Sequence, residues 1–367
     1  MIAFVCLGIT ALYIIIQVSL FFSIAAAKPD PIKQRDETGW PMLSVLVAAR
    51  NEEEHIVKCL QALQELDYPQ HQLEILIGND QSEDATAALV AAFIKDKQQF
   101  KLVNIITTLG KAKGKANVLA HLAHEAKGSI YAITDADIIV NRQWAKELVL
   151  HIADDQMAIV SGLTMVYDKP VWAQLMGLDW LFYMGLIKGF DNLGMGCTAV
   201  GNNMVITKEA YWNVGGYEAL DFSVTEDYKL YEQVRKKGWK TKNIITRNSL
   251  NISRPVGSFV QLMHQRKRWL TGARELPFYW WVLFGVLGSL FPVIVVLFCY
   301  QPILALQLYG IKIALQSLFI LWLQQKLGMR QNVLLVLLYD VYANIIAICT
   351  QVFFLLPVKM QWKKRTY

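Results

Sequence analysis

No charged side chain occurs between Met1 and Ala27, and a second charge-free run extends from Leu276 to Ile311. A run of this length can cross a hydrocarbon core of roughly 30 Å, so both ends of the chain are committed to a bilayer. Only the part between them is free to fold as a soluble domain. The composition follows from this division. The chain is 54% hydrophobic and 18% charged, against roughly 25% charged in soluble domains, and the deficit sits at the two ends.

The first run lacks a basic amino-terminal stretch and exceeds the roughly 7–15 apolar residues of a signal peptide, which favours an uncleaved anchor. Gln301-Pro302 breaks the second run into spans near 278–300 and 303–323, and a further apolar segment, 333–357, carries only Asp340. One N-terminal and about three C-terminal transmembrane helices are therefore expected. They divide the chain into an anchor (1–27), a soluble domain ending in interfacial helices (40–275), a membrane region (276–357) and a basic tail (358–367).

Flanking charge sets orientation. Lys28, Lys33 and Arg35 follow the first span, and Arg266, Lys267, Arg268 and Arg274 precede the second. Both place the middle domain in the cytoplasm, at the inner or plasma membrane. Lys359, Lys363, Lys364 and Arg365 disagree, since three full spans would put them outside. Either one C-terminal segment is re-entrant or interfacial, or the tail breaks the rule.

Within 40–275, strand-like runs at 43–49, 73–78, 102–107, 130–134 and 157–163 are separated, over the first four, by amphipathic helical stretches. Such alternation predicts an α/β fold of parallel βαβ units, whose ligands bind beyond the carboxyl ends of the strands. Those ends read Ala49-Arg50-Asn51-Glu52, Asn79-Asp80-Gln81-Ser82 and Asp135-Ala136-Asp137. Three strands thus deliver polar or acidic groups to one rim. A second part, roughly 160–255, is richer in glycine. Residues 171–190 are nearly apolar, with only Asp179 and Lys188 charged. If they spanned the membrane, Asp137 and Asp227 would lie on opposite sides. A helix in the interface, or lining an acceptor groove, is expected instead.

Alternating carboxylates at a strand end can hold Mg²⁺ or Mn²⁺ against a diphosphate, although a lone Asp-x-Asp is equally a solvated turn. Thr225-Glu226-Asp227 opens a helix. It reads as a capped first turn with Thr225 as the cap, or as a site with Asp227 as general base. Gln265-Arg266-Lys267-Arg268-Trp269 lies on a helix before the membrane. Its basic residues face headgroups, or Arg268 meets a leaving diphosphate while Trp269 stacks on an acceptor sugar. Gly110-Lys111-Ala112-Lys113-Gly114-Lys115 fails as a phosphate loop: three residues rather than four separate the glycines, and Ala116 replaces the Ser or Thr.

Other chemistry is poorly supported. The net charge of +6, from 36 basic and 30 acidic residues, suits a membrane surface or a phosphorylated ligand. No nucleic-acid-binding signature is present. Cys6, Cys59, Cys197, Cys299 and Cys349 form no CxxC pair, and His121 and His124 lack a ligand partner in the sequence. A transporter would place ionisable residues within its spans, where only Lys312 and Asp340 are found. A nucleotidyltransferase would need neither Thr225-Glu226-Asp227 nor Gln265-x-x-Arg268-Trp269 beside the membrane.

From Ser44 to Trp269 the ordered motifs resemble family 2 glycosyltransferases of the GT-A fold, in the membrane-integrated branch with cellulose, hyaluronan and chitin synthases. Ala49 to Glu53 resembles the first nucleotide-binding turn, Asn79 to Thr86 the turn that holds the base, and Gly114-Lys115-Ala116 the segment before the metal motif. The resemblance implies an inverting, metal-dependent transfer from a nucleotide sugar, UDP-linked by preference, to a lipid or glycan acceptor. Donor contacts would come from Ala48, Arg50, Glu52, Asn79, Asp80, Lys115 and Asp135. Metal ligands would be Asp137 and Asp135, with Mg²⁺ or Mn²⁺ as cofactor. Asp227 would be the base, with Glu226 beside it, and Gln265, Arg268 and Trp269 would serve the diphosphate and acceptor. Asn79 and Gln81 depart from the Asp and small residue of the base-binding turn, and Ala120 stands where the family often has Asn. Single transfer to a lipid and processive polymer synthesis both remain compatible.

Overall fold

The computed structural model describes residues 1–36, 39–359, 361–362 and 365–366. The chain begins with helix α1 (Ile2–Ala25). The soluble domain then runs β1 (Leu43–Ala49), α2 (Ile56–Gln64), β2 (Leu73–Asn79), α3 (Thr86–Ile94), β3 (Phe100–Asn104), α4 (Lys115–Glu125), β4 (Ile130–Asp135), α5 (Trp144–Leu150), β5 (Met157–Ser161) and β6 (Leu163–Val166). It continues through α6 (Val171–Asn192), β7 (Asn203–Thr207), α7 (Lys208–Asn213), α8 (Gly216–Ala219), α9 (Glu226–Lys236), β8 (Lys240–Asn243), β9 (Leu250–Ser253) and α10 (Phe259–Ala273). Helices α11 (Phe278–Tyr300), α12 (Pro302–Lys326) and α13 (Val333–Leu355) follow.

Seven strands form one sheet in the order β3-β2-β1-β4-β7-β5-β8. Strands β1 to β4 pair in parallel, as the alternating pattern predicts, while β7 is antiparallel to both β4 and β5. The sheet is therefore mixed. β6 and β9 form a separate parallel pair. Because β2 and β4 lie on opposite sides of β1, chain order reverses there, and sheets of this kind bind ligands beyond the strand ends at such a point.

Alternation along the strands places a core on each face. Leu43, Val45 and Val47 of β1 point toward Ile56 and Leu60 of α2 and Trp144 and Leu148 of α5. Leu46, Tyr131 and Ile133 point the other way, toward Val118 and Leu122 of α4 and Leu230 of α9. With both faces covered, only the strand ends are left to bind ligands.

Among the described residues, four helices are long and apolar enough to cross a membrane: α1, α11, α12 and α13. This is the expected set of one N-terminal and three C-terminal helices, and it makes the chain a membrane protein. α6 is not among them. It packs between β6 and α1, α12 and α13, and both of its charges inside 171–190 turn inward. Asp179 pairs with Arg266, and Lys188 lies 3.1 Å from Asp30.

The α12–α13 connection and the far end of α13 meet elements of the soluble domain. Before the helix, Gly328 sits under Arg247 of the β8–β9 loop. At its far end, Lys267 of α10 donates to the carbonyls of Phe353 and Leu356, at 3.4 and 2.8 Å. Lys363 and Lys364 of the basic tail lie outside the described residues.

Candidate active site

The turns after β1 and β2 are locked to each other. Arg50 Nη1 donates to the carbonyl of Asp80 at 2.8 Å and lies 3.9 Å from its carboxylate. The Asn51 N–H donates to Ser82 Oγ, and the Glu52 N–H donates to Thr86 Oγ1 at 2.7 Å. Asn79 Oδ1 accepts from the Ser82 N–H, and its Nδ2 donates to Asn104 Oδ1 at 2.9 Å. Asn51 and Gln81 both adopt positive φ, 51° and 52°. Asn tolerates that region well; Gln enters it less readily, and its amide Nε2 lies 3.4 Å from the Ile105 carbonyl.

Lys115, at the start of α4, is the hub of the acidic side. Its Nζ lies 2.6 Å from Asp135 Oδ1 and 3.1 Å from Glu226 Oε1, and donates to the Gly201 carbonyl at 3.2 Å. Burial works against its charge, but Asp135, Glu226 and Asp227 outweigh that and hold the ammonium above its ordinary range. Asp137 is half-buried. Its charge reaches the buried Cys59, whose thiol is pushed up first by burial, then by Asp137, Asp135 and Glu52. The strand ends thus converge as the sequence predicts. Asp135 and Asp137 make a two-carboxylate donor set, and no cluster of three or more His, Cys, Asp or Glu occurs among the described residues. Such a pair fits Mg²⁺ or Mn²⁺, which takes its other ligands from phosphate and water.

Asp227 is held by backbone. Its Oδ2 accepts from the Gly201 N–H at 3.0 Å and its Oδ1 from the Tyr228 N–H at 2.8 Å. Burial and then the neighbouring Glu226 raise its carboxyl, with Lys115 and the two N–H donors pulling the other way. A carboxylate whose proton affinity is raised in this way suits a general base. Thr225 departs from the expectation. Its hydroxyl makes no cap bond and instead meets Ser223 Oγ at 3.2 Å.

On α10, Gln265, Arg268, Trp269 and Gly272 are spaced to share one face. Gly272 abuts Thr225, with no room for a side chain. Glu275, just past the helix, accepts from Ser223 at 2.5 Å and lies 3.2 Å from Lys229. The C-terminal end of the stripe is therefore docked on Thr225. Gln265 is buried, and its Oε1 accepts no hydrogen bond among the described residues. Trp269 meets Trp180 of α6 edge-on, with centroids 5.4 Å apart. Two of the basic residues turn to protein rather than to the headgroups expected for them. Arg266 is buried against Asp179, and Lys267 binds the end of α13.

Sequence comparison matches the family described as Glycosyl transferase family 21 over residues 3–367. The chain belongs to this glycosyltransferase family. Among the relatives of this family 21 enzyme is a beta-monoglucosyldiacylglycerol synthase of Synechocystis sp., 26% identical over 68% of the chain and 52% of that protein. Another is the poly-beta-1,6-N-acetyl-D-glucosamine synthase of Staphylococcus epidermidis, 24% identical over 64% of the chain and 55% of that protein. The family 21 chain spans about half the length of these curated relatives. A solved mannosyltransferase from Pyrobaculum calidifontis, in complex with GDP-mannose and Mn²⁺, superposes with a TM-score of 0.62 over 94% of this chain and 99% of its own. At 17% identity it establishes the GT-A fold.

Several groups that build the site of this glycosyltransferase were not singled out for it from sequence. Gly201, Ser223, Gly272 and Glu275 hold Asp227 and α10 together. Gly201 stood out only as one of several glycines between 160 and 255, and nothing in the local pattern marks the other three.

Proposed function

We propose that this glycosyltransferase moves a hexose from a nucleoside diphosphate sugar, with UDP as the leaving group, to the hydroxyl of a lipid or lipid-linked acceptor at the membrane surface. The observation that carries this reading is the half-buried Asp227, its carboxyl raised, beside a lysine that bridges Asp135 and Glu226. Asp227 takes the proton of the acceptor hydroxyl as that oxygen attacks the anomeric carbon from the face opposite the leaving group. Configuration inverts in one displacement. Arg50, Glu52, Asn79 and Asp80 form the nucleoside end of the crevice, with Ala48 at the floor of β1, and Lys115 lies toward the phosphates. Mg²⁺ or Mn²⁺ bound by Asp137 and Asp135 would supply charge that offsets the departing diphosphate. Arg268 serves the same end from α10, while Gln265 Oε1 and Trp269 meet the acceptor.

Helix α10 joins the carboxylates to the membrane helices, which favours an acceptor presented by the bilayer. The glycolipid-forming relatives agree. Processive synthesis is the second reading, supported by the Gln265-x-x-Arg268-Trp269 stripe and by the polysaccharide-forming relative. The catalytic domain faces the cytoplasm, given the basic residues at both of its ends. Contacts of Lys267 with the carbonyls of Phe353 and Leu356 favour the same side for the end of α13. Incubating the full chain in vesicles with labelled nucleotide sugars, with and without Mn²⁺, tests the activity. Product size separates one added hexose from a polymer.

A further inference from the structure

Asp179 and Arg266 form an ion pair almost wholly shielded from solvent, with side-chain exposures of 3% and 9%. They come from α6 and α10. A third element joins them: the Tyr339 hydroxyl of α13 donates to the other carboxylate oxygen of Asp179 at 2.8 Å. The Arg266 guanidinium also lies over the Trp269 ring, 4.6 Å from its centroid. Trp180, next to Asp179 along α6, packs edge-on against the same indole at 5.4 Å. Trp269 is thus held by two neighbours, and Asp179 fixes one and adjoins the other.

A buried ion pair stabilises a fold little relative to well-packed apolar residues, because desolvating two charges offsets their attraction. What it does supply is geometry. A guanidinium is planar and permanently charged, so a carboxylate that fixes its orientation also fixes whatever ring stacks on its face. The pair sits where that matters, since Trp269 shares a helix face with Gln265 and Arg268 and with Gly272, which abuts Thr225.

We propose that Asp179 is a positioning residue: through Arg266 it sets the ring of Trp269, and with it the acceptor-side stripe of α10, against the catalytic carboxylates. This rests on the reading of Gln265, Arg268 and Trp269 as diphosphate and acceptor groups. Asp179 itself touches no substrate. Its bond to Tyr339 makes the stripe depend on how α13 packs, so the membrane region contributes directly to acceptor geometry.

The test uses the full chain in phosphatidylglycerol vesicles, with UDP-glucose as donor probe and dioleoylglycerol as acceptor probe. Asp179→Asn alone leaves a buried guanidinium unpaired and can fail to fold. The deciding variant is therefore the neutral pair, Asp179→Asn with Arg266→Gln. Amide hydrogen exchange across α10 should accelerate by about tenfold or more in this variant, while β1 to β4 exchange as in wild type. kcat/KM for the lipid should fall about ten- to hundredfold with the donor KM unchanged. Wild-type exchange in α10, or a wild-type kcat/KM for the lipid, would overturn the proposal. So would equal losses toward donor and lipid. If the wild type transfers nothing to this lipid, the functional reading of the acceptor fails, and exchange in α10 still decides the role of Asp179.

Discussion

The backbone N–H of Gly201 donates to Asp227 Oδ2 at 3.0 Å, and a methyl group on Gly201 would lie 2.6 Å from the Asp227 Cβ. Glycine is thus required here by proximity, since only a bare backbone can approach the carboxylate this closely. Gly201→Ala should push Asp227 out of line and lower kcat by about 10², the scale of a displaced acid–base group. Donor affinity should stay within a few-fold, as measured by nucleotide-sugar titration. Loss of donor binding in step with kcat would mean that the crevice as a whole had collapsed.

The pH profile reports the environment of Asp227. Burial and Glu226 raise its carboxyl, and a base works only when deprotonated, so the acid limb of kcat should lie above the ordinary carboxylate range. Lys115 pulls in the opposite direction. Lys115→Met removes that charge, so Asp227 should hold its proton more tightly and the limb should move to higher pH. The same variant should bind donor at least about tenfold more weakly, because Asp135 and Glu226 lose their bridging cation. A limb that stays in place would separate Lys115 from the base.

Much of this site could be read from the sequence, because its acids end strands. Apolar runs closing in Asn79-Asp80 and Asp135-Ala136-Asp137 announce the rim of a parallel sheet, and in the structure Asp80 meets Arg50 at the end of β1 while Asp135 meets Lys115. The antiparallel β7 was less legible. It follows a glycine-rich turn, and its pairing depends on contacts distant in the chain. Arg266 was misread for a related reason. On an amphipathic helix beside a membrane, a buried arginine and a headgroup-facing one look alike until the partner is known, and Asp179 is 87 positions away. The basic tail posed the opposite problem. Residues 333–357 are apolar enough to span, and contacts such as those of Lys267 with Phe353 and Leu356 and of His264 with Phe353 place the end of that helix beside α10.

Those contacts make a topological prediction. An epitope fused after Tyr367 and a protease site placed at Lys28–Lys33 should be reached from the same face of sealed vesicles, the face that also exposes the catalytic domain. Protection of the epitope under conditions that cleave the linker would show that α13 carries the chain across.

Asp227→Asn tests the central claim most directly. Purified wild-type and variant chains would be compared in vesicles for donor binding and for sugar transfer, with Mn²⁺ present and after chelation. Wild type should transfer only with metal. Asp227→Asn should bind the nucleotide sugar with a Kd close to wild type, while its transfer rate falls by about 10³ or more. Transfer by Asp227→Asn within a few-fold of wild type would rule out Asp227 as the base.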